Sequence, residues 1–162
     1  MASVIPVEKL PTLHRLKELG ASSLLIRAYY GNSPVIKRFV PSSLGGRPRT
    51  SDTWLLDPVN GLHANILWSL YKHLGRRADL NRNVISAEDL ISVYDAYILV
   101  APEPHLDINS AQLAFKLITC CRMKELKCSE CSRNFMIHHQ RRSSECHYCK
   151  IQKERKSECE AA

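Results

Sequence analysis

Two pairs of cysteines constrain the C-terminal end of this chain more than any other feature. Each pair has the spacing Cys-x2-Cys: Cys128 with Cys131, and Cys146 with Cys149, with fourteen residues between the pairs. A two-residue gap lets two sulfurs reach one ion, and a second pair completes a tetrahedron. Four thiolates leave no open coordination position, so the spacing predicts one structural zinc ion. About thirty residues cannot build a core alone, and the metal would substitute for that core.

Other ligands and other chemistry for this segment remain open. One imidazole in place of one sulfur is an alternative ligand set, because histidines lie inside the segment: His138, His139 and His147. A redox role for either cysteine pair is disfavoured, because no strand–helix context of the thioredoxin type surrounds it. Three cysteines stand outside the pairs: Cys120, Cys121 and Cys159. The first two fall on a helical pattern, which predicts buried or half-buried thiols.

The apolar spacing upstream of the cysteines is that of helices. It predicts helices over about 7–19, 21–30, 34–40, 58–74, 87–100 and 107–126. We therefore predict a mainly α fold: a helical body over residues 1–126, helix-turn-helix-like at its N-terminal part, and a zinc-ribbon-like module with a basic tail over 127–157. No apolar run is long enough for a membrane span, and the N-terminus lacks the pattern of a secretion signal, so we expect a cytoplasmic protein without membrane partners.

Capping residues and apolar stripes predict where the helices begin and which side chains they bury. Helix starts are predicted at Ser33-Pro34, at Asp57-Pro58, at the capping box that begins with Ser86, and at Asp107 or Asn109. The side chains predicted to face inward on the second and third helices are Leu24, Leu25, Ala28, Val35, Ile36, Phe39 and Val40. The stripe predicted for the fourth helix is Leu62, Ile66, Leu67, Leu70 and Leu74.

Positive charge is concentrated at the two ends of the chain. The formal net charge is +7, and the central part is more acidic than the segments on either side. Two basic ends fit a polyanionic partner such as nucleic acid, and a solubilising surface is the alternative. Lys37 and Arg38 lie where the recognition helix of a helix-turn-helix would sit, and Arg27 on the preceding helix is a weaker candidate. A solvated helix face is the competing interpretation of these three.

Two further groups of arginines are candidates for DNA contact. Arg47 and Arg49 flank a proline after two glycines, and such an arm can enter a narrow minor groove. A flexible linker is the alternative for this arm. In the cysteine segment, Arg133, Arg141 and Arg142 would neutralise phosphates and make binding dependent on salt.

Several short motifs also occur in a fixed order along the chain. They are Leu16-Lys-Glu-Leu-Gly-Ala21, Asp52-Thr-Trp54, Leu62-His-Ala64, Ala96-Tyr97, Ala111-Gln-Leu-Ala-Phe-Lys-Leu, Cys128-Ser-Glu-Cys-Ser-Arg-Asn-Phe135 and Cys146-His-Tyr-Cys149. Through these motifs and their order, the chain resembles the FlhC family of bacterial transcriptional activators. That family is named for the flagellar master regulator, and its relatives control conjugative-transfer genes on mobile elements.

The resemblance implies a function as well as a fold. It implies an activator subunit that acts with an FlhD-like partner, binds promoter DNA as a hetero-oligomer and recruits RNA polymerase. The alternative is a zinc-ribbon adaptor that binds proteins and makes no direct DNA contacts. An enzyme acting on nucleic acid is disfavoured, because no paired carboxylates and no nucleophile–base pair stand out.

Overall fold

The structure, a computed structural model, describes residues 6–40, 53–74, 85–101 and 103–160. Within these ranges, two 3-10 turns (Val7–Lys9 and Thr53–Leu56) accompany helices and one antiparallel hairpin. The helices are α1 (Leu10–Glu18), α2 (Ser23–Tyr30), α3 (Pro34–Phe39), α4 (Pro58–His73), α5 (Ala87–Val100), α6 (Ile108–Thr119) and α7 (His147–Glu160); the strands are β1 (Met123–Lys127) and β2 (Asn134–His138). The predicted mainly α fold with a C-terminal four-cysteine module is confirmed. Among the described residues, no helix has the length and apolar character to cross a bilayer.

Side-chain caps fix where five of the helices begin. In each, the cap oxygen accepts a hydrogen bond from the backbone N–H three residues further on: Ser22, Ser33, Asp57, Ser86 and Asp107. Such a cap satisfies one of the backbone donors that a helix start leaves unpaired. The starts predicted at Ser33, Asp57 and Ser86 are therefore confirmed, and Asp107 caps α6.

Asn109, the other cap predicted for α6, has a different role. Its Oδ1 accepts the backbone N–H of Ser22 at 2.8 Å, and its Nδ2 donates to the carbonyl of Gly20 at 3.1 Å. Gly20 adopts φ 78°, the left-handed conformation that glycine tolerates best. Asn109 thereby attaches the turn between α1 and α2 to the start of α6.

The stripes predicted for α2 and α3 were wrong in part. Four side chains predicted to face inward are exposed: Leu24, Ala28, Val35 and Phe39. The buried apolar residues of these two helices and their ends are Leu25, Ile26, Ile36 and Val40. A short helix on the surface buries only the narrow stripe that faces its neighbours, which is narrower than its apolar content suggests.

The last helix of the body was predicted to continue too far. It ends at Thr119 instead of near position 126, and β1 begins at Met123. Cys121 adopts φ 56°, which ends the helix, and the backbone of β1 pairs with β2 from Met123–His138 to Lys127–Asn134. Cys120 and Cys121 lie in this turn and are exposed, so the predicted burial of these thiols was wrong.

The core has a helical part and a part shared with the hairpin. The larger cluster contains side chains of all six helices from α1 to α6, and an ion pair of 2.6 Å between Arg15 and Asp95 joins α1 to α5. A second cluster contains side chains of α4 and α6 together with Met123 and Met136 of the hairpin. The hairpin that leads to the cysteines is thus packed against the helical body.

Candidate metal centre and its contact with α4

Four thiols converge at the end of the hairpin. The Sγ atoms of Cys128, Cys131, Cys146 and Cys149 all lie within 4.8 Å of one another. Sγ–Sγ distances are 4.0 Å between Cys128 and Cys149 and 3.8 Å between Cys131 and Cys146. A tetrahedron with metal–sulfur bonds of about 2.3 Å has edges of about 3.8 Å, whereas a disulfide bond is about 2.05 Å long. The thiols are therefore unbonded to one another and spaced to bind one metal ion.

A tight turn after β1 presents the first pair. The backbone N–H of Cys128 donates to the carbonyl of Arg133 at 2.9 Å, and Ser132 N–H donates back to the Cys128 carbonyl at 3.0 Å. Ser132 adopts φ 58°, a left-handed conformation that costs a non-glycine residue energy. These bonds close the turn so that both sulfurs face the same point.

The start of α7 presents the second pair. Cys146 directly precedes the helix, and its Sγ accepts the backbone N–H of Cys149 at 3.5 Å, in the manner of a cap. The N–H of Cys146 in turn donates to the Sγ of Cys128 at 3.2 Å. Because a helix N-terminus carries partial positive charge, it stabilises thiolates placed there.

Three of the four thiols have shifted pKa values. Burial opposes ionisation of Cys128, but backbone N–H groups at residues 131, 146 and 130 outweigh it and lower the thiol's pKa to about 6. Burial and the neighbouring sulfurs raise the pKa of Cys149 to about 12, and burial also raises the pKa of Cys146. The Cys128 thiolate therefore forms easily, while the thiolates of Cys146 and Cys149 are suppressed. A metal ion would compensate the repulsion among the negative sulfurs.

The histidines of this segment do not join the cluster. Among the described residues, the group of converging ligand atoms contains the four cysteines and no imidazole. His147 lies between the two cysteines of the second pair in sequence and is buried, but its ring faces α4. Its Nδ1 lies 3.4 Å from the Nδ2 of Asn65. Burial first, then the charges of Arg141 and Lys150, lower the pKa of His147 to about 4, so this ring is neutral.

Contact between α7 and α4 depends on a glycine. A Cβ atom at Gly61 would lie 2.3 Å from the Nε2 of His147, far inside van der Waals contact. The imidazole also packs edge-on against the ring of Phe135 on β2, with centroids 6.2 Å apart. The absence of a side chain at Gly61 is what allows the metal-site helix to approach α4 this closely.

Asn65 of α4 joins the helix to the hairpin. Its Nδ2 donates to the carbonyl of Met136 at 2.8 Å, and its Oδ1 accepts the Met136 N–H. The same Nδ2 donates to the carbonyl of Gly61 at 2.8 Å. The side chain thus satisfies both backbone groups of one residue on β2, as a neighbouring strand would.

The candidate DNA-binding residues of the helical body lie in different settings. Lys37 and Arg38 are exposed on α3 and form no ion pair with any described residue. Arg27 is half-buried in the last turn of α2. Arg47 and Arg49 lie outside the residues that the structure describes.

The three arginines of the cysteine module also differ from one another. Arg133 and Arg142 are exposed, whereas Arg141 is half-buried and its Nη1 donates to the carbonyl of Leu56 at 2.9 Å. Leu56 belongs to the 3-10 turn before α4, so Arg141 attaches the module to the body. This contact gives Arg141 a structural role that the sequence did not indicate.

An open groove separates part of α4 from the cysteine module. Its volume is about 630 Å³. The residues that line it on α4 are Leu62, Asn65, Ile66, Ser69, Leu70 and His73, and those from the module are Arg133, Asn134, Phe135, Cys146, His147 and Tyr148. Of the stripe predicted for the core of α4, Leu67 is buried, and Leu74 is exposed, so its prediction was wrong. The other three, Leu62, Ile66 and Leu70, are half-buried and line this groove, and the last two also pack against the core.

Comparison with known proteins leaves the site to be interpreted on its geometry. No protein-family model matches this chain, and a search of curated proteins gives no match.

Proposed function

We propose that this chain is a DNA-binding subunit of a transcriptional activator, with one structural zinc ion bound by Cys128, Cys131, Cys146 and Cys149. It would act in the cytoplasm with an FlhD-like partner at promoters of flagellar or conjugative-transfer genes and recruit RNA polymerase. The proposed role is not enzymatic. The single observation that carries the DNA-binding part is the exposed basic face of α3.

The four sulfur ligands support zinc as the proposed metal. Four sulfurs with tetrahedral spacing favour zinc over the hard cations, which prefer oxygen ligands. Four protein ligands leave no position for water or substrate, so the ion would hold the hairpin and α7 together without taking part in a reaction. Metal analysis of the purified chain by mass spectrometry tests this. One zinc per chain is expected, and a chain that folds without metal would contradict it.

The DNA-binding surface is proposed from the orientation of α3. Ile36 and Val40 face the core, and Arg38 lies on the opposite side of the helix, with Lys37 exposed beside it. The turn between α2 and α3 contains Gly31 at φ 79°, and Ser33 caps the start of α3. Two short helices joined by such a turn are typical of a helix-turn-helix, whose second helix reads the major groove.

Binding to a labelled duplex at about 50 mM and 200 mM salt tests the proposal. Lys37→Ala with Arg38→Ala is expected to weaken binding at both concentrations and to reduce the salt slope by about 2, one for each lost phosphate contact. The matched control is Lys116→Ala, which removes an exposed lysine from α6. Equal affinity and slope in the α3 variant and the control would refute DNA contact by α3.

An adaptor that binds only proteins is the second candidate, and the groove beside α4 favours it. A half-buried apolar stripe is more suited to a protein segment than to a phosphate backbone. Duplex binding measured with and without the partner separates the two functions. Absence of any salt-dependent complex in both conditions would favour the adaptor.

A further inference from the structure

The groove between α4 and the cysteine module has the form of a helix-binding site. On one wall, Leu62, Ile66 and Leu70 are spaced four residues apart, so they form one continuous row along α4. Eight residues of helix rise by about 12 Å, which matches about two turns of a helix lying alongside. On the other wall, the exposed ring of Tyr148 supplies apolar surface, and the buried Phe135 borders the groove.

The charged side chain that lines the groove is Arg133, and no carboxylate lies among the lining residues that the structure describes. Arg133 is exposed and forms no ion pair with a residue in the described ranges. An apolar row flanked by an unpaired guanidinium is complementary to an apolar surface that carries a carboxylate.

We propose that this groove binds an amphipathic helix of a partner protein, with apolar side chains against the α4 row and an acidic side chain beside Arg133. The volume of about 630 Å³ is enough for several apolar side chains to be buried together. This is the helix-in-groove mode of recognition, in which side chains at i, i+3, i+4 and i+7 anchor the helix. The inference rests on the proposed function only in requiring a partner protein.

The position of the groove in the fold also favours a bound partner helix. The groove lies where Gly61, His147 and Asn65 join α4 to the metal module, so its two walls belong to the two parts of the chain. A helix bound there would contact both walls and would bind only when the module is folded on α4. Loss of the metal is therefore expected to abolish binding.

Two labelled helical peptides test the proposal with the full chain and its bound metal. Both carry leucines at i, i+3, i+4 and i+7. The acidic peptide has glutamates beside the leucine stripe, and the basic peptide has lysines at those positions. Fluorescence anisotropy should show the acidic peptide binding about tenfold more tightly than the basic one. The basic peptide loses one partly exposed ion pair with Arg133 and gains a like-charge contact in its place.

Variants locate the binding. Arg133→Glu should reverse the preference between the two peptides, while Lys116→Glu on α6, with the same change in net charge, should leave it intact. Ser69→Trp would fill the groove and should weaken the acidic peptide about tenfold, and Ser157→Trp at the far end of α7 should have no effect. Circular dichroism and metal content would establish that each variant is folded.

Several results would overturn the proposal. They are no binding of the acidic peptide to the unmodified chain, binding unchanged by Ser69→Trp, and competition for the groove by duplex DNA. Dimerisation of the chain alone that Ser69→Trp abolishes would assign the groove to a second copy.

Duplex binding by the same variants distinguishes failure of the groove proposal from failure of the DNA-binding proposal. If peptide binding fails and duplex binding persists, the groove inference alone is wrong; the reverse result removes the DNA-binding function and leaves the groove.

Discussion

Gly61 of α4 and His147 of α7 are in direct contact, and a single methyl group at position 61 would lie 2.3 Å from the imidazole Nε2. The contact joins the helical body to the segment that carries the metal ligands, because His147 lies between Cys146 and Cys149 in sequence. The packing of α7 on α4 therefore lies beside two of the four converging cysteines.

Gly61→Ala should destabilise the chain despite the better helix propensity of alanine. Alanine in a helix interior gains about 0.5–1 kcal/mol over glycine, whereas overpacking costs about 1–3 kcal/mol, so a net loss of about 1 kcal/mol is expected. Urea denaturation at constant metal concentration measures it. In a His147→Ala background the ring is gone, and the same substitution should be neutral or stabilising. An equal loss in both backgrounds would contradict the contact.

Asn65→Ala should have a larger effect, because it leaves both backbone groups of Met136 without their partner. Each unsatisfied buried group costs about 1–3 kcal/mol, so a loss of about 2–6 kcal/mol in the free energy of unfolding is expected. Ser69→Ala, one turn further along α4 and exposed, is the matched control and should change stability by less than about 0.5 kcal/mol. Amide hydrogen exchange at Met136 should increase in the Asn65 variant, and unchanged exchange would count against the hydrogen bonds.

The sequence predicted the elements and the ligands better than the contacts between them. The spacing of the two cysteine pairs is local, and the geometry of one ion dictates it, so the tetrad could be found without a structure. Ser33 and Asp57 likewise signal their helix starts through bonds to residues three positions away.

What the sequence could not indicate depends on partners distant along the chain. Met123–Lys127 continues a helical pattern, and only its pairing with Asn134–His138 makes it a strand. Gly61 within a helix signals a close approach in hindsight, but nothing local identifies His147 as the neighbour. Ile66 and Leu70 pack against the core as predicted and also line the groove, because helical spacing alone cannot show that a stripe is covered on one side only.

Cys128→Ser should release the metal and unfold the C-terminal module. A hydroxyl is a poor substitute for a thiolate, and the sulfur of Cys128 also accepts the N–H of Cys146, so both pairs are affected. Metal content and limited proteolysis after β1 measure the two effects. Cys120→Ser changes an exposed cysteine outside the tetrad and should retain full metal content and resistance. Full metal retention in Cys128→Ser would refute the assignment of this ligand.

His63 should make stability depend on pH. Tyr97 Oη accepts the backbone N–H groups of His105 and Leu106 at 3.1 and 3.2 Å, so its own proton is donated to His63 Nδ1 at 2.7 Å. This arrangement requires neutral His63, and burial, followed by the charge of His105, lowers its pKa. The unfolded chain therefore takes up a proton first as pH falls through about 6.5, and stability is fully present above that pH and decreases below it.

Urea denaturation at about pH 7.5 and pH 5.5, on either side of the ordinary histidine pKa, measures this effect. His63→Gln should be less stable than the unmodified chain at the higher pH and should lose less on acidification. Tyr97→Phe should raise the pKa of His63, measured by nuclear magnetic resonance, because the hydrogen bond to Nδ1 favours the neutral ring. Parallel metal analysis separates acid release of the ion from protonation of His63, and an unmoved pKa in Tyr97→Phe would refute the assigned hydrogen bond.

Arg141 and Arg142 are adjacent, but their substitution should affect different properties: stability for Arg141 and duplex binding for Arg142. Arg141 Nη1 donates to the carbonyl of Leu56, so Arg141→Ala should lower the free energy of unfolding by about 1 kcal/mol. Arg142 is exposed, so Arg142→Ala should leave stability unchanged and, under the proposed function, reduce the salt slope of duplex binding by about 1. Denaturation and duplex titrations on both variants measure the two effects. If Arg141→Ala lowers the salt slope without loss of stability, its guanidinium contacts phosphate instead of Leu56.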